Sequence, residues 1–317
     1  MNHASKIFVA GHRGLAGSAL VRELRHRGFD QLLLRTHAEL DLEDATATRK
    51  FFDAERPQVV FLAAAKVGGI LANNTYPVDF LLRNLLIEAN VIRAGHEAGV
   101  ERLIFLGSSC IYPREAPVPI KESALLTGPL EATNRPYALA KIAGIELCWA
   151  FNRQYGTRFL AAMPTNLYGP GDSYDLANSH VLPALIRKVH EAKRDGRDEV
   201  VLWGSGKPRR EFLYADDLAR ALVFLADLDE ARFAGLTDPA QCPLINVGTG
   251  EDLEVSELAA LIAEVIGWRG RFVHDTSKPD GTLRKVMDVS RLRALGWAPA
   301  TSLREGIALA YRDFLSR

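Results

Sequence analysis

The sequence predicts an α/β fold in which a Rossmann-type, doubly wound parallel sheet is followed by a smaller C-terminal α/β substrate lobe. Three observations predict it. Apolar strand patterns alternate with helical patterns as far as residue 170, a glycine-rich turn follows the first strand, and beyond Pro170 the alternation breaks into clusters of Gly, Pro, Asp and Ser. Strands that alternate with helices are typical of βαβ units, in which right-handed crossovers join parallel strands.

Each predicted element rests on its hydrophobic period. Short apolar runs between turn residues indicate strands, here over 6–10, 31–35, 58–64, 103–106, 159–163 and 244–248. Apolar residues three and four apart indicate helices, here over 16–27, 43–55, 77–98, 136–155, 182–193, 254–266, 290–295 and 303–315, with another beginning at 215.

Composition limits what the chain can bind. Among 317 residues, 39 basic side chains balance 39 acidic ones and no run of Lys or Arg occurs, so nucleic acid is not an expected partner. No apolar run approaches the roughly 18 residues of a membrane span, and the first strand pattern begins after five residues. We therefore expect a cytoplasmic protein with no membrane partner. Three cysteines are too few and too scattered for a disulfide framework or a zinc site, so no metal is expected.

The glycine-rich turn after the first strand predicts a dinucleotide site. Glycines at this spacing permit the turn, bring backbone N–H groups close to a pyrophosphate and let the following helix pack on the sheet. A purely structural glycine turn is the alternative, but the strand before it and the helix after it favour binding. The candidate cofactor contacts are Gly11, His12, Arg13, Gly14, Leu15, Ala16 and Gly17.

The end of the second strand indicates which dinucleotide binds. An NAD site offers an acidic residue to the ribose about 20 residues after the turn, whereas this chain offers Arg35, with Arg13 in the turn itself. Guanidinium groups bind a 2′-phosphate that a carboxylate would repel, so we predict NADP(H); a solvated arginine is the alternative. Asp41 and Leu42 could flank the adenine. The predicted domains are an NADP-binding domain over 1–170, with returning segments near 212–248, and an interrupted substrate-binding lobe over 171–317.

A serine, a tyrosine and a lysine predict carbonyl reduction. Ser108 follows the strand at 103–106, where ligands bind in open α/β sheets, and Tyr137 and Lys141 lie one helical turn apart. Hydride delivery to a ketone needs a proton donor at the ketone oxygen. Lys141 would favour the phenolate of Tyr137 and could hold the nicotinamide ribose, while Ser108 would bond the substrate oxygen. The alternative is a Tyr and a Lys on a solvated helix face.

These motifs resemble the extended short-chain dehydrogenase/reductases and, among them, the GDP-L-fucose synthase family. The finer likeness lies in Ala-Ala-Ala-Lys-Val-Gly-Gly-Ile (63–70), Asn-Asn-Thr-Tyr-Pro (73–77), Gly-Ser-Ser-Cys-Ile-Tyr-Pro (107–113), Pro-Thr-Asn-Leu-Tyr-Gly-Pro (164–170) and Trp-Gly-Ser-Gly (203–206). It implies an NADPH-dependent 3,5-epimerase and 4-reductase acting on GDP-4-keto-6-deoxy-D-mannose. The long helices at 77–98 and 136–155, apolar on more than one face, predict a homodimer with a four-helix interface, which the resemblance also implies.

The resemblance implies roles for particular residues. Cys110 and His180 match the family's base and acid, although taken alone they would be a buried strand-end residue and a capping or surface histidine. The GDP-sugar contacts are matched by Lys188, Trp203, Arg210 and Asp280. His37 stands where relatives tend to place a second arginine. Further candidate cofactor contacts are Leu106, Gly107, Lys141, Pro164, Thr165, Asn166, Leu167 and His180.

Substrate phosphates need local cations in a chain without net charge. The second lobe supplies six, namely Arg187, Lys188, Arg209, Arg210, Arg284 and Lys285. Two other functions stay open. A nucleotide-sugar 4-epimerase or reductase that holds NAD tightly would need no Cys and His pair, and a non-catalytic NADP-binding sensor would not need the intact Ser108, Tyr137 and Lys141.

Overall fold

A six-stranded parallel sheet forms the centre of the computed structural model, which describes residues 1–176, 179–277 and 280–317. The strands are β1 (Ile7–Ala10), β2 (Leu32–Leu33), β3 (Val59–Leu62), β4 (Arg102–Leu106), β5 (Phe159–Pro164), β6 (Asn166–Tyr168), β7 (Glu199–Trp203), β8 (Arg209–Arg210), β9 (Phe212–Tyr214), β10 (Leu244–Val247), β11 (Leu253–Glu254), β12 (Arg271–Asp275) and β13 (Arg284–Lys285). The main sheet has the order β2-β1-β3-β4-β5-β10, and each neighbouring pair is parallel.

Helices cover both faces of this sheet, as its buried strands require. They are α1 (Leu15–His26), α2 (Ala45–Glu55), α3 (Ile70–Thr75), α4 (Pro77–Glu97), α5 (Arg135–Tyr155), α6 (Val181–Arg194), α7 (Ala215–Asp227), α8 (Glu230–Leu236), α9 (Val255–Ile266), α10 (Ser290–Ala294) and α11 (Leu303–Leu315). Ile7 and Val9 of β1 pack into the core beneath α1 and α7, while Phe8 and Ala10 pack into the core beneath α2, α4 and α5. The alternation follows from the two-residue period of a strand.

A third core lies in the C-terminal part of the chain. Helices α6, α9 and α11 pack there around Ile186, Ile262 and Ile307. Their sheet partners are short: β7 pairs with β12, β6 with β9, and β8 lies between β11 and β13. The strand β10 and the helix α7 nevertheless return to the main sheet, so the chain crosses between the two parts more than once.

The ends of the long helices follow local rules. The Asp44 carboxylate accepts hydrogen bonds from the N–H groups of Thr46 and Ala47 and so begins α2. Pro77 begins α4, where its missing N–H costs nothing. Gly156, with φ of 68°, ends α5 in the left-handed conformation that glycine adopts most easily.

The predicted fold class is confirmed, and most predicted elements lie within a few residues of their expected bounds. The second strand is shorter than predicted, because only Leu32–Leu33 pair with β1. The sequence analysis missed α3, α8 and the small sheets of the C-terminal part, since segments of two to seven residues carry too little periodicity. Within the described ranges, no helix is long and apolar enough to cross a bilayer, and no three His, Cys, Asp or Glu side chains group to hold a metal ion.

Candidate active site

The predicted cofactor and catalytic segments meet at one edge of the main sheet. Its strand order reverses at β1, with β2 on one side and β3 on the other. Ligands of open α/β sheets bind outside the carboxyl ends of the strands at such a point. The turn at 11–17 follows β1, the segment at 107–113 follows β4, and Pro164 ends β5. The topology therefore brings these separate motifs to one crevice.

The glycine turn is shaped by three different requirements. Gly11 has φ of +82°, and a Cβ there would lie 2.7 Å from the backbone of Ala64. A Cβ on Gly17 would overlap the carbonyl oxygen of Gly11, so α1 packs against the turn only with glycine at this position. Gly14 differs, because a Cβ there would meet no atom of the chain closer than 3.5 Å. Gly14 is also the N-cap of α1 and offers no side-chain cap to the N–H groups that begin the helix. The turn therefore fits a pyrophosphate at the helix N-terminus.

At the predicted binding site for the 2′-phosphate, one of the two arginines already has a partner. The Arg35 guanidinium forms an ion pair with Glu55 at 2.7 Å and lies over the Phe51 ring, so part of its charge is already neutralised. Arg13 is exposed at the turn. A 2′-phosphate would thus meet Arg13 together with a shared Arg35.

The neighbouring candidates divide between surface and core. His37 is exposed and its ring lies 3.6 Å from the Asp41 carboxylate. Leu42 packs into the core, and its carbonyl oxygen accepts a hydrogen bond from Asn90 at 2.9 Å. Of the two residues expected to flank adenine, only Asp41 therefore presents its side chain to solvent.

Serine, cysteine, tyrosine and lysine come together beyond the end of β4. Ser108 Oγ accepts a hydrogen bond from the Cys110 backbone N–H at 3.4 Å and begins a short 3-10 turn over 109–111. Lys141 is buried, and its Nζ donates to the carbonyl oxygen of Leu106 at 3.0 Å. The same Nζ lies 5.8 Å from the centre of the Tyr137 ring.

Burial dominates the acid–base properties of this group. It raises the pKa of the Tyr137 phenol well above its usual value, and negative charge at Cys110 or Glu88 adds to the effect. Burial also raises the pKa of the Cys110 thiol, with Lys285, the Ser108 hydrogen bond and Lys141 opposing the rise. Both groups therefore hold their protons at neutral pH in this structure. The positive charge that sequence reasoning sought near Cys110 is present, but burial outweighs it.

His180 lies at the N-cap of α6, where its carbonyl oxygen accepts a hydrogen bond from Ala184 N–H at 3.1 Å. Its side chain is exposed, yet desolvation by nearby protein atoms lowers the pKa of His180. Asn178, in the same predicted motif, lies outside the described residues. No hydrogen bond among the described residues joins His180 to Cys110.

The remaining cofactor candidates line the end of β5 and the start of β6. Gly107 has no room for a side chain, because a Cβ would overlap the Met163 side chain beneath it. The Thr165 hydroxyl and the Asn166 side-chain amide both donate to the carbonyl oxygen of Glu211, at 3.3 and 2.8 Å. Pro164 is buried and Leu167 is partly buried beside them. These residues border the same crevice as the glycine turn.

The six cations of the second lobe fall into two sets. Three pair with carboxylates: Arg187 with Glu191, and both Arg209 and Arg284 with Asp252. For the other three, no carboxylate of the described chain lies within ion-pair distance; these are Lys188, Arg210 and Lys285.

The unpaired cations point to an anion site. Lys285 of β13 is the register partner of Arg210 of β8, so two positive charges lie side by side. Burial lowers the pKa of Lys285, and the neighbouring Arg210 charge lowers it further. Such an arrangement is relieved by a bound anion, and a diphosphate has the matching charge.

Trp203 and Asp280 are the other two predicted substrate contacts. The Trp203 ring is exposed and lies 5.2 Å from Lys188 Nζ. Asp280 accepts hydrogen bonds from the Ser205 N–H at 2.6 Å and from the Ser205 hydroxyl at 2.8 Å. Asp280 therefore fixes the loop that follows Trp203, an anchoring contact that the sequence did not indicate.

Sequence reasoning missed two buried carboxylates and did not place Lys285 near Cys110. Glu88 forms an ion pair with Lys141, and Glu211 accepts hydrogen bonds from three backbone N–H groups. The charge of Lys285 lowers the pKa of the Cys110 thiol. Glu88 carries a usable signal, since it is an acidic residue at a core position of an otherwise apolar helix face. The fold and this site define a dinucleotide-dependent oxidoreductase of the Rossmann class, with a Ser, Tyr and Lys catalytic group.

Comparisons with known proteins agree with this class. Residues 7–235 match the NAD dependent epimerase/dehydratase family. The chain is 55% identical to the putative GDP-L-fucose synthase 2 of Arabidopsis thaliana, over 99% of this chain and 93% of that protein. It is 54% identical to the GDP-L-fucose synthase of Escherichia coli K12, over 98% and 96% of the two chains. A solved structure of a Campylobacter jejuni GDP-D-glycero-L-gluco-heptose synthase, determined in the presence of NADPH, superposes with a TM-score of 0.93 at 36% identity, over 99% of both chains. The chain belongs to the NAD dependent epimerase/dehydratase family, in the branch that holds the GDP-L-fucose synthases.

The second and third glycines of the turn, Gly14 and Gly17, should respond differently to alanine. Gly14→Ala is expected to keep its Tm, because φ of −75° suits alanine and no chain atom is close, yet to weaken NADPH binding about tenfold or more. Gly17→Ala is expected to lower Tm, because its methyl group would overlap Gly11. Fluorescence titration with NADPH and thermal unfolding measure both effects. Unchanged affinity in Gly14→Ala would contradict the pyrophosphate site.

Proposed function

We propose that this protein converts GDP-4-keto-6-deoxy-D-mannose to GDP-L-fucose by 3,5-epimerisation followed by NADPH-dependent reduction at C4. The relatives above that are more than half identical over nearly the whole chain carry the name GDP-L-fucose synthase. The observation that carries the proposal is the position of Cys110, a thiol at the same strand end as Ser108, Tyr137 and Lys141. In the proposed reaction this thiol has a role in epimerisation that reduction alone does not require.

Epimerisation needs a proton donor and a proton acceptor beside the ketone. The C4 ketone acidifies the hydrogens on C3 and C5, because the carbanion that remains is stabilised as an enolate. In our proposal Cys110 and His180 exchange protons with these carbons from opposite faces of the ring. Cys110 can act as a base only if its thiolate is stabilised, and the charges of Lys285 and Lys141 both lower its pKa. A bound substrate would bring its own charges to Lys285 and Arg210.

Reduction needs a proton at the ketone oxygen when hydride reaches C4. NADPH, when bound, supplies that hydride. Ser108 would donate a hydrogen bond to the oxygen, and Tyr137, which holds its proton at neutral pH, would transfer it to the forming alkoxide. Lys141 would then favour the phenolate that remains, until Tyr137 is protonated again.

The substrate would be held mainly by the second lobe. The unpaired Lys188, Arg210 and Lys285 suit the GDP diphosphate, and Trp203 offers an exposed aromatic face to the base or the ribose. This assignment matches the predicted division of the chain. Residues 1–170, with the returning segments near 212–248, would hold NADP(H), and the rest of 171–317 would hold the GDP-sugar.

We also propose that the protein is a homodimer. Val78, Leu82 and Leu86 lie four residues apart on α4 and leave apolar side chains exposed. Leu139 on α5 is exposed as well. Residues at this spacing share one face of a helix, and a second copy related by a two-fold axis would cover it in a four-helix interface.

The two halves of the proposed reaction can be separated in deuterated water. Without NADPH, the protein is expected to exchange deuterium into C3 and C5 of GDP-4-keto-6-deoxy-D-mannose, measured by NMR. Cys110→Ser should lose at least about a hundredfold of this exchange, because a hydroxyl is a far weaker acid than a thiol. Tyr137→Phe should keep the exchange and lose NADPH oxidation by a similar factor. Absence of exchange in the wild-type protein would sink the epimerase half and favour a 4-epimerase or a simple reductase.

The dimer proposal has its own test. Light scattering at micromolar concentration is expected to give the mass of two chains for the wild-type protein, and of one chain for Leu82→Arg, which places a charge in the apolar stripe. Arg25→Ala, an exposed substitution on α1, which packs on the opposite face of the main sheet, should leave the mass unchanged. A wild-type mass of one chain would rule the dimer out.

A further inference from the structure

The ammonium of Lys141 is held by a carboxylate that the proposed chemistry does not use. Lys141 Nζ lies 3.0 Å from Glu88 Oε1, and both side chains are 2% exposed. The same ammonium donates to the carbonyl oxygen of Leu106, the last residue of β4, at 3.0 Å. Lys141 is thus fixed between the strand end that precedes Ser108 and an acid on α4.

Burying the carboxylate of Glu88 at this position destabilises the fold through desolvation. An apolar side chain would pack here without cost, since Ile87, Val91 and Ile92 of the same helix are buried core residues. Burial raises the pKa of Glu88, against the influence of Lys141. In the part of the chain that the structure describes, neither oxygen of Glu88 has a hydrogen-bond partner, so the ion pair of Oε1 with Lys141 is its main polar contact. A Cβ on Gly144 would lie 2.6 Å from the Phe105 ring and 2.8 Å from Glu88 Oε2, so the small residue at 144 leaves room for both side chains.

We propose that Glu88 is a positioning residue for the reduction: its carboxylate fixes the Lys141 ammonium near Tyr137 and offsets part of its charge, which sets the pH above which Tyr137 no longer donates a proton. The inference rests on the proposed function, because it concerns the proton that Tyr137 delivers. Glu88 acts through Lys141 and is not placed against the substrate.

Three titratable side chains and one aromatic ring lie near the ion pair of Glu88 and Lys141. The charge of Glu88 raises the pKa values of Tyr137 and Cys148 on α5, and the charge of Lys141 lowers the pKa of Cys110, beyond the end of β4. Each of these three is neutral while it keeps its proton. The Phe105 ring of β4 lies 4.6 Å from Lys141 Nζ and carries no charge. Glu88 and Lys141 therefore carry the two opposite charges that act on Tyr137.

The sign of the effect follows from this balance. A negative charge on Glu88 disfavours the phenolate and contributes to the raised pKa of Tyr137, whereas an ammonium favours the phenolate. With Glu88→Gln, Lys141 acts on Tyr137 without its counter-charge. The phenolate then forms at lower pH, and the proton donor is lost earlier as the pH rises.

The experiment measures kcat for NADPH oxidation with GDP-4-keto-6-deoxy-D-mannose across pH. In Glu88→Gln the alkaline fall of kcat is expected to move to lower pH by about one unit or more. Glu88→Asp keeps the charge further away and should move it in the same direction by less. Val91→Ala, a buried substitution on the same helix without charge, should lower Tm and leave the pH profile in place. Deuterium exchange at C3 and C5 without NADPH should persist in Glu88→Gln, because Cys110 and His180 are retained.

Alkaline limbs of Glu88→Gln and Glu88→Asp that superimpose on the wild-type limb would overturn the inference, even if both variants were less stable. If Glu88→Gln fails to fold, the shift of Glu88→Asp decides the question. Failure of the proposed function gives a different result, because the wild-type protein would then oxidise no NADPH with this substrate.

Discussion

The buried carboxylate of Glu211 joins the parts of the molecule that the proposed reaction must bring together. Its two oxygens accept hydrogen bonds from the backbone N–H groups of Thr249, Gly250 and Met287, at 2.7 to 2.9 Å. Its own carbonyl oxygen holds the side chains of Thr165 and Asn166, beside the cofactor crevice. A buried carboxylate that loses its donors is strongly destabilising, so these segments cannot move apart without a large cost in free energy. One residue thereby fixes the end of β5 against the strands that carry Arg210 and Lys285.

The charged side chains of the molecule differ in burial and in whether they have a partner of opposite charge. The cations that pair with carboxylates serve the fold, as Arg209 and Arg284 do with Asp252, whereas Lys188, Arg210 and Lys285 are left for an anion. In the reductase group the only buried ion pair is that of Glu88 with Lys141, in the part of the chain described. The pKa of the proton donor Tyr137 is raised mainly by burial, with a smaller contribution from negative charge at Cys110 or Glu88. A substrate with a negatively charged diphosphate would therefore balance the positive charges of this site.

The fold could be predicted from the sequence because its strands and helices are long enough to carry a period, and because the turn at 11–17 contains glycines with separate geometric reasons. The spacing of Tyr137 and Lys141 likewise predicted a shared helix face. What could not be predicted depends on contacts between distant segments. Arg35 looked free until Glu55, twenty residues on, proved to pair with it. Lys285 looked like one more phosphate ligand, and only the pairing of β13 with β8 brings it to Arg210.

We propose that one site both inverts the configuration at C3 and C5 of the sugar and reduces its C4 ketone. The most direct measurement is NMR identification of the sugar nucleotide formed when the purified protein oxidises NADPH with GDP-4-keto-6-deoxy-D-mannose. We expect GDP-L-fucose, with one NADPH consumed for each product molecule. A reduced sugar that keeps the starting configuration at C3 and C5 would contradict this proposal, because Cys110 and His180 would then have no part in the reaction.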